Sequence, residues 1–333
     1  MDVSDGTVNP VALVFGAVPS RRLGRSLGIN NVPPKTCTYS CVYCQLGRTL
    51  KMGIKRRPFH TPEEVVKAVR SRLLDAQRRG EEVDYLTFVP DGEPTLDAGL
   101  GQEIKGLKDL GLAIAVITNT SLLYREDVEE ELSWADWVSL KVDAGRETTW
   151  KRINRPHKAL SLEEIQAGIL KFSQNFSGTL TTETMLVSGV NDSPDELSLI
   201  ASFLREVKPA VAYLAIPTRP PAEPWVKPPT EEVLTQAYVI FEAELPRVEL
   251  LIGYEGNLFS TTGDAKADLL AITAVHPMRE EAVRELLAKD KASWEVVEEL
   301  VRVGVLVRLE YGGHGFFPGP SWPWTLASRF FGT

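Results

Sequence analysis

Cysteine is nearly absent. The 333 residues hold three, all between positions 37 and 44. An odd set packed into one short stretch does not make a disulfide framework. Long apolar runs are missing too, and none approaches the roughly 18 residues a membrane span requires. Met1 to Asn9 contain Asp2 and Asp5 but no base, so the start does not read as a secretory signal. These absences lead to the expectation of a cytoplasmic protein with no membrane segment. With 43% apolar and 25% charged residues, the composition excludes disordered, collagenous and disulfide-rich chains. The length suits one large α/β domain with a small appendage.

Acidic residues are also unevenly absent. Positions 6–62 contain no Asp or Glu, while nine bases stand there: Arg21, Arg22, Arg25, Lys35, Arg48, Lys51, Lys55, Arg56 and Arg57. The net charge of the whole chain is −8, which argues against bulk nucleic-acid binding. A positive segment in an acidic protein calls for something anionic nearby.

Cys37, Cys41 and Cys44 are spaced C-x3-C-x2-C. A structural zinc site wants a fourth ligand, and the nearest histidine after them, His60, lies sixteen residues past Cys44. Three thiolates on a four-iron cluster would leave one iron open for a substrate or cofactor. The stretch Lys35-Thr-Cys-Thr-Tyr-Ser-Cys-Val-Tyr-Cys44 resembles the cluster loop of the radical S-adenosylmethionine (SAM) superfamily, with Tyr43 at the aromatic position. The resemblance implies that Cys37, Cys41 and Cys44 bind a [4Fe-4S] cluster and that the open iron chelates SAM. It further implies that the reduced cluster cleaves SAM to a 5′-deoxyadenosyl radical, with a reductant such as flavodoxin or ferredoxin as partner.

Six strand-like runs alternate with amphipathic segments: Leu27–Val32, Tyr85–Val89, Ala113–Thr118, Trp137–Val142, Leu180–Val187 and Ala212–Ile216. Helix starts stand between them. Thr61-Pro62-Glu63-Glu64 offers a cap, a first-turn proline and first-turn acids, Ser161-Leu-Glu-Glu164 has capping-box form, and Ser193-Pro-Asp-Glu196 and Thr230-Glu-Glu232 repeat the device. The alternation predicts a parallel sheet, and six units rather than eight predict an open barrel. The resemblance implies the same fold, a partial (β/α)6 barrel within residues 1–262.

Active sites of parallel barrels form at the C-terminal strand ends, which here carry the polar residues. Asp91-Gly92-Glu93-Pro94 resembles the superfamily's G-G-E-P turn, with Asp for the first Gly. Its carbonyls and carboxylate suit the SAM ammonium. Asn119 is a candidate for the ribose or methionine part of SAM. Ser139, Lys141 and Asp143 alternate on one face of their strand, with Ser139 and Asp143 suited to the ribose hydroxyls and Lys141 to the SAM carboxylate. Glu183 is a candidate for SAM or substrate. Ile216 is expected against the adenine ring and the Tyr43 backbone at its edge, as the family suggests. Arg152, Arg155 and His157 form a basic loop suited to an anionic substrate. Residues 15–29, with Arg21, Arg22 and Arg25, resemble a branch of bacterial iron–sulfur oxidoreductases more distantly related to wyosine-forming tRNA enzymes. These arginines suit a phosphate or the charge of the cluster.

Beyond Gly263, three short helices and a hairpin around Gly312-Gly313 predict a winged-helix-like domain over residues 263–333, ending in an aromatic tail with Trp322 and Trp324. Its third helix carries Glu295, Glu298 and Glu299 against Arg302, which argues against DNA and for a peptide or protein, or for a cover over the barrel mouth. The expectation is a radical SAM oxidoreductase or transferase acting on a peptide, protein, nucleotide or tRNA. The alternatives are a non-catalytic iron–sulfur sensor with a DNA- or protein-binding module, and a structural zinc protein.

Overall fold

A computed structural model describes residues 12–253, 256–257, 259–274 and 276–319. The tail beyond Gly319, with Trp322 and Trp324, and the first eleven residues lie outside the described part. Strand β1 (Val14–Ser20) turns back antiparallel onto β2 (Gly24–Ile29), with a bulge between Phe15 and Val18. The Phe15 ring lies against Gly28, where a Cβ would come within 2.0 Å of it. Only glycine allows that approach.

From β2 onward the sheet is parallel. After β2 the chain forms a two-residue ladder, β3 (Thr36–Cys37) with β4 (Lys51–Met52), and then helix α1 (Pro62–Arg78). The alternation continues with β5 (Tyr85–Phe88), α2 (Leu100–Leu107), β6 (Ala113–Thr118), α3 (Glu126–Leu132) and β7 (Trp137–Lys141). It closes with α4 (Glu147–Asn154), α5 (Leu162–Asn175), β8 (Thr179–Met185), α6 (Pro194–Val207), β9 (Val211–Ala215), α7 (Glu231–Glu244) and β10 (Val248–Leu251). The strand order is β1-β2-β5-β6-β7-β8-β9-β10. Consecutive parallel strands joined by helices curl the sheet into a half-barrel, the partial barrel expected from the sequence. The sequence reading missed two strands, antiparallel β1 and the added parallel β10. It also placed the first parallel strand three residues late. Val14–Ser20 holds a glycine and a proline, and Val248–Leu251 has only four residues, so neither gives a clear alternation.

All four caps form, but the reciprocal box stands on α1 rather than at the expected Ser161, which caps one way only. Thr61 and Glu64 form a reciprocal box on α1, and Ser161, Ser193 and Thr230 each accept from a backbone N–H in the first turn of their helices. The outer sheet face, with Leu27, Ile29, Leu86, Phe88, Val138 and Leu140, packs on helix residues such as Val65, Ile104, Ile169 and Phe241. The inner face holds a smaller cluster of Leu23, Ala115, Trp137, Val211, Tyr213 and Ala215. No described helix is long and apolar enough to cross a membrane.

The chain continues with α8 (Ala265–Thr273), β11 (Met278–Arg279), α9 (Glu280–Lys289), α10 (Glu295–Arg302), β12 (Leu309–Tyr311) and β13 (His314–Phe317). The three strands form one sheet in the order β11-β13-β12. The sequence had shown the helices and the hairpin but not β11. Phe15 and Val18 of β1 share an apolar core with Leu269, Ile272, Leu286 and Phe317 of this unit. Tyr311 donates to the Pro217 carbonyl at 3.1 Å, so the hairpin leans on the C-terminal end of β9.

Below the barrel wall, Asp97 and Glu103 lie side by side and fully buried. Burial and the Asp97 charge push the Glu103 carboxyl up to about 9, because two adjacent carboxylates do not both ionise in a dry site. A carboxyl whose pKa is raised by folding favours the folded state below the unfolded value and loses that contribution as pH rises through the folded one. Wild-type stability should therefore decline between pH ~5 and pH ~9. Glu103→Gln, which has no proton to lose, should flatten that decline. Urea midpoints measured across the range check this, and equal slopes for the two proteins would refute it.

Candidate active site

The loop that follows β2 brings the three cysteines to the C-terminal end of the sheet. Its course is fixed by backbone bonds to the turn after β5 and to the C-terminal end of α4. Glu93 N–H donates to the Thr36 carbonyl at 3.1 Å, Ser40 N–H to the Asn154 carbonyl at 3.0 Å and Val42 N–H to the Ile153 carbonyl at 2.9 Å. Gly92 pairs with Thr36 so closely that a Cβ would come within 2.0 Å of the Thr36 oxygen. The Gly-Glu-Pro turn is thus pressed directly against the cysteine loop, and its glycine is required by contact rather than by turn geometry. Glu223 clamps the outer side of the loop, accepting from Arg48 Nε and Nη2 at 2.8 and 2.9 Å and from Arg155.

The thiols are free and held in their neutral form. Burial first, then Glu93, pushes Cys37 well up; burial and Asp143 push Cys41 to about 12; burial raises Cys44 against the pull of Lys35. Thiolates form here only with a compensating cation. Among the described residues, no three Cys, His, Asp or Glu side chains are gathered tightly enough to hold a single metal ion.

Glu93 is 1% exposed and acts as a hub. Its Oε1 accepts from Thr95 N at 3.1 Å, from Thr95 Oγ1 at 2.6 Å and from Thr118 Oγ1 at 2.6 Å, and its Oε2 accepts from Asn119 N at 2.8 Å. Asn119 in turn donates through Nδ2 to Thr38 Oγ1 at 2.8 Å and to Cys37 Sγ at 3.5 Å. Pro94 starts a short helical turn, and its carbonyl accepts from Asn31 Nδ2 at 3.2 Å. Asp91 is buried beside Lys35, with Nζ 3.8 Å from Oδ1. Lys35 Nζ and Asp91 Oδ2 are both buried without a hydrogen-bond partner.

The pairing register decides what happens on the inner wall. Lys141 is opposite Glu183, and Glu183 is opposite Tyr213. Lys141 Nζ lies 3.0 Å from Glu183 Oε1 and 3.3 Å from Asp143 Oδ1, over the Tyr43 ring at 4.9 Å. Asp143 Oδ2 accepts from the Tyr43 hydroxyl and from Asn154 Nδ2 at 2.8 Å, and Oδ1 from Met185 N at 2.8 Å. Asn154 also reaches Cys41 Sγ at 3.4 Å. Tyr43, Lys141, Asp143 and Glu183 therefore converge, and Asp91, Gly92, Glu93, Pro94 and Asn119 form a second group on the other side of the cysteines. Ser139 is set deeper, 3.5 Å from Arg22 Nη1. Ile216 follows β9 and packs on the main core.

The N-terminal arginines do not reach the cysteines. The β1–β2 turn starts at the N-terminal end of β2, and from it the three side chains diverge. Arg21 bonds the Leu251 and Gly253 carbonyls, and Arg25 pairs with Glu82. Arg22 enters the barrel, pairs with Glu183 and lies 5.9 Å from the Trp137 and Tyr213 ring centroids. Burial opposes ionisation of Glu183, but Arg22, Lys141 and Arg21 overcome it and hold the carboxyl at about 2.

The superfamily profile described as Radical SAM matches residues 31–199. A UPF0026 protein of Methanocaldococcus jannaschii is 46% identical over 309 residues, covering 92% of this chain and 96% of its own. The chain belongs to the radical SAM superfamily. A UPF0026 protein of Synechocystis is 38% identical and covers 62% of this chain and 76% of its own. A radical SAM methyltransferase from Sphaerobacter thermophilus shares the fold at a TM-score of 0.55 and 18% identity, over 68% of this chain and 66% of that one.

Radical SAM proteins use a [4Fe-4S] cluster and SAM, and this member's residues fit both. The cysteine loop offers three sulfur donors that would hold the cluster. Asn119 and Asn154 donate N–H groups toward two of the sulfurs, the kind of outer-shell contact that tunes such ligands. The ion-paired Lys35 ammonium and Asp91 carboxylate, each with an atom that makes no hydrogen bond, supply buried polar groups beside the loop. Sequence reasoning gave no site role to Lys35 and Thr38, although both stand in the Lys35–Cys44 stretch, and missed Asn154, which carries no motif of its own.

Proposed function

We propose that the chain is a radical SAM enzyme that abstracts hydrogen from its substrate. The observation that carries this reading is the docking of the Gly-Glu-Pro turn and Asn119 onto a loop holding all three cysteines of the chain. When bound, the cluster and SAM supply a one-electron cleavage of SAM that yields a 5′-deoxyadenosyl radical. Cys37, Cys41 and Cys44 hold the cluster. One lone pair of Glu93 Oε2 and the turn carbonyls are available to the SAM ammonium. Lys141 suits its carboxylate, and Asp143, Ser139 and Asn119 its hydroxyls. Glu183 orients Lys141, Tyr43 adds its backbone at the adenine edge, and Ile216 adds apolar surface for the ring. With every cysteine engaged, a second cluster or a thiol sulfur donor is disfavoured, leaving hydrogen transfer, rearrangement or bond formation.

The C-terminal unit, taken from about Gly263, reads as a winged-helix-like domain that borders the mouth through Tyr311. Its α10 carries Glu295, Glu298 and Glu299, which favours a peptide or protein over DNA. The test is anaerobic. Reconstituted protein is reduced with dithionite in the presence of SAM, and 5′-deoxyadenosine is measured by mass spectrometry, with Cys41→Ala as blank. Wild type should form it and the variant should not. A fully loaded, reduced wild type that forms none overturns the proposal.

A further inference from the structure

An electron has to enter the cluster from outside, and the cysteine loop has one strand-like flank open to solvent. In the β3–β4 ladder Cys37 is the register partner of Met52, and Gly53 N–H donates to the Cys37 carbonyl at 3.2 Å. Paired strands lie about 4.8 Å apart, so Met52 sits one strand spacing from a cluster ligand. Met52 is 41% exposed and Leu50 76%, two large apolar side chains facing water beside exposed Lys51. Beside them opens a cleft of about 600 Å³ lined by Ser40, Met52, Lys151, Arg155, His157 and Lys158, with Glu147 as its one acidic member. Its floor is the cysteine loop itself, since His157 N–H donates to the Thr38 carbonyl at 2.9 Å.

We propose that this face docks a small acidic one-electron carrier protein that reduces the cluster. The inference rests on the radical SAM reading above. One electron leaves the reduced carrier and enters the cluster, and no bond or proton is exchanged. The chemistry of the face selects the occupant. An apolar centre of Leu50 and Met52 rimmed by Lys51 and Lys158, with Lys151 paired to Glu147 at 2.7 Å, matches the anatomy of a protein interface, where methionine is enriched. Positive charge around it steers an acidic partner and speeds its arrival. A single-stranded nucleic acid would want aromatic platforms, and the strip and cleft lining contain no Phe, Tyr or Trp. The face also explains where part of the acid-free segment 6–62 is put to use, since Arg22 and Arg56 of that segment are taken up by internal carboxylates.

The test follows cluster bleaching in a stopped-flow instrument, with flavodoxin hydroquinone as the acidic carrier and dithionite as the small reductant. Wild-type reduction by flavodoxin should slow as salt is raised. Lys51→Glu with Lys158→Glu should be slower by roughly tenfold at low salt and nearly insensitive to salt. Leu50→Ser with Met52→Ser should slow the same step while keeping the salt dependence. Dithionite should reduce all of them alike. Wild-type rates with flavodoxin in both variants would overturn the proposal. So would a loss of RNA binding in the charge variant with its flavodoxin rate unchanged. A parallel loss with dithionite would also overturn it, by showing that the loop itself had been disturbed. If dithionite-reduced wild type forms no 5′-deoxyadenosine, the enzyme reading fails, whatever the docking result.

Discussion

Glu93→Ala should melt roughly 5 °C below wild type and should lose SAM cleavage beyond detection. The reason lies in what the carboxylate leaves behind. Four donors, Thr95 N and Oγ1, Thr118 Oγ1 and Asn119 N, all point at it. Each buried donor left unmet costs about 1–3 kcal/mol. Relief of the burial that raises the Glu93 carboxyl offsets part, for a net loss of about 3 kcal/mol. Asn119 then loses its anchor, and with it the approach to Thr38 and Cys37. Glu93→Gln should keep more stability than activity, because its amide still fills the space but turns a donor toward groups that need an acceptor. Thermal melts alongside 5′-deoxyadenosine assays check this. A stable, fully active Glu93→Ala would show that the hub is dispensable.

Glu183→Ala should be the most damaging change inside the barrel, at about 3–5 kcal/mol. It strips the counter-ion from Arg22 and takes one of two carboxylates from Lys141. Breaking one half of a buried pair costs more than the pair contributes, because the remaining charge stays buried. The pH dependence carries a sign. Folding lowers the Glu183 carboxyl to about 2, so its contribution is complete above the ordinary glutamate value and is lost as pH falls toward the folded one. The stability gap between wild type and Glu183→Gln should therefore narrow from pH ~6 to pH ~3. Urea unfolding at both values measures it, and a constant gap would remove Glu183 from the acid response.

Much of this was legible before any coordinates. Strand–helix alternation, capping residues and the cysteine spacing depend on neighbours a few residues apart, and these placed the polar residues at the mouth. What was illegible depends on register and on chain reversal. The arginines at 21, 22 and 25 sit 12 to 16 residues before Cys37 in sequence, yet the hairpin of β1 with β2 directs them to the end of β10, to Glu183 and to Glu82 rather than to the cysteines. Lys141 and Glu183 are 42 residues apart and become partners only once β7 and β8 are aligned. Glu93 matched its motif, but the four donors that saturate most of its acceptor capacity come from residues that no motif marks. Asn154, at the end of α4, reaches Asp143 and Cys41 only because that helix folds back over the loop.

The double allegiance of β1 bears on how the molecule comes apart. Its backbone is ladder-bonded to β2, while Phe15 and Val18 sit in the core built by the C-terminal helices, and Ser260 N–H donates to the Ala17 carbonyl at 2.9 Å. A boundary drawn near Gly263 in sequence therefore does not correspond to a seam in space. A version cut there would present two bare aromatic and aliphatic side chains on an edge strand, the surface on which sheets add neighbours. Calorimetry should accordingly show one endotherm for both parts, and trimmed versions should self-associate rather than survive as a free-standing barrel.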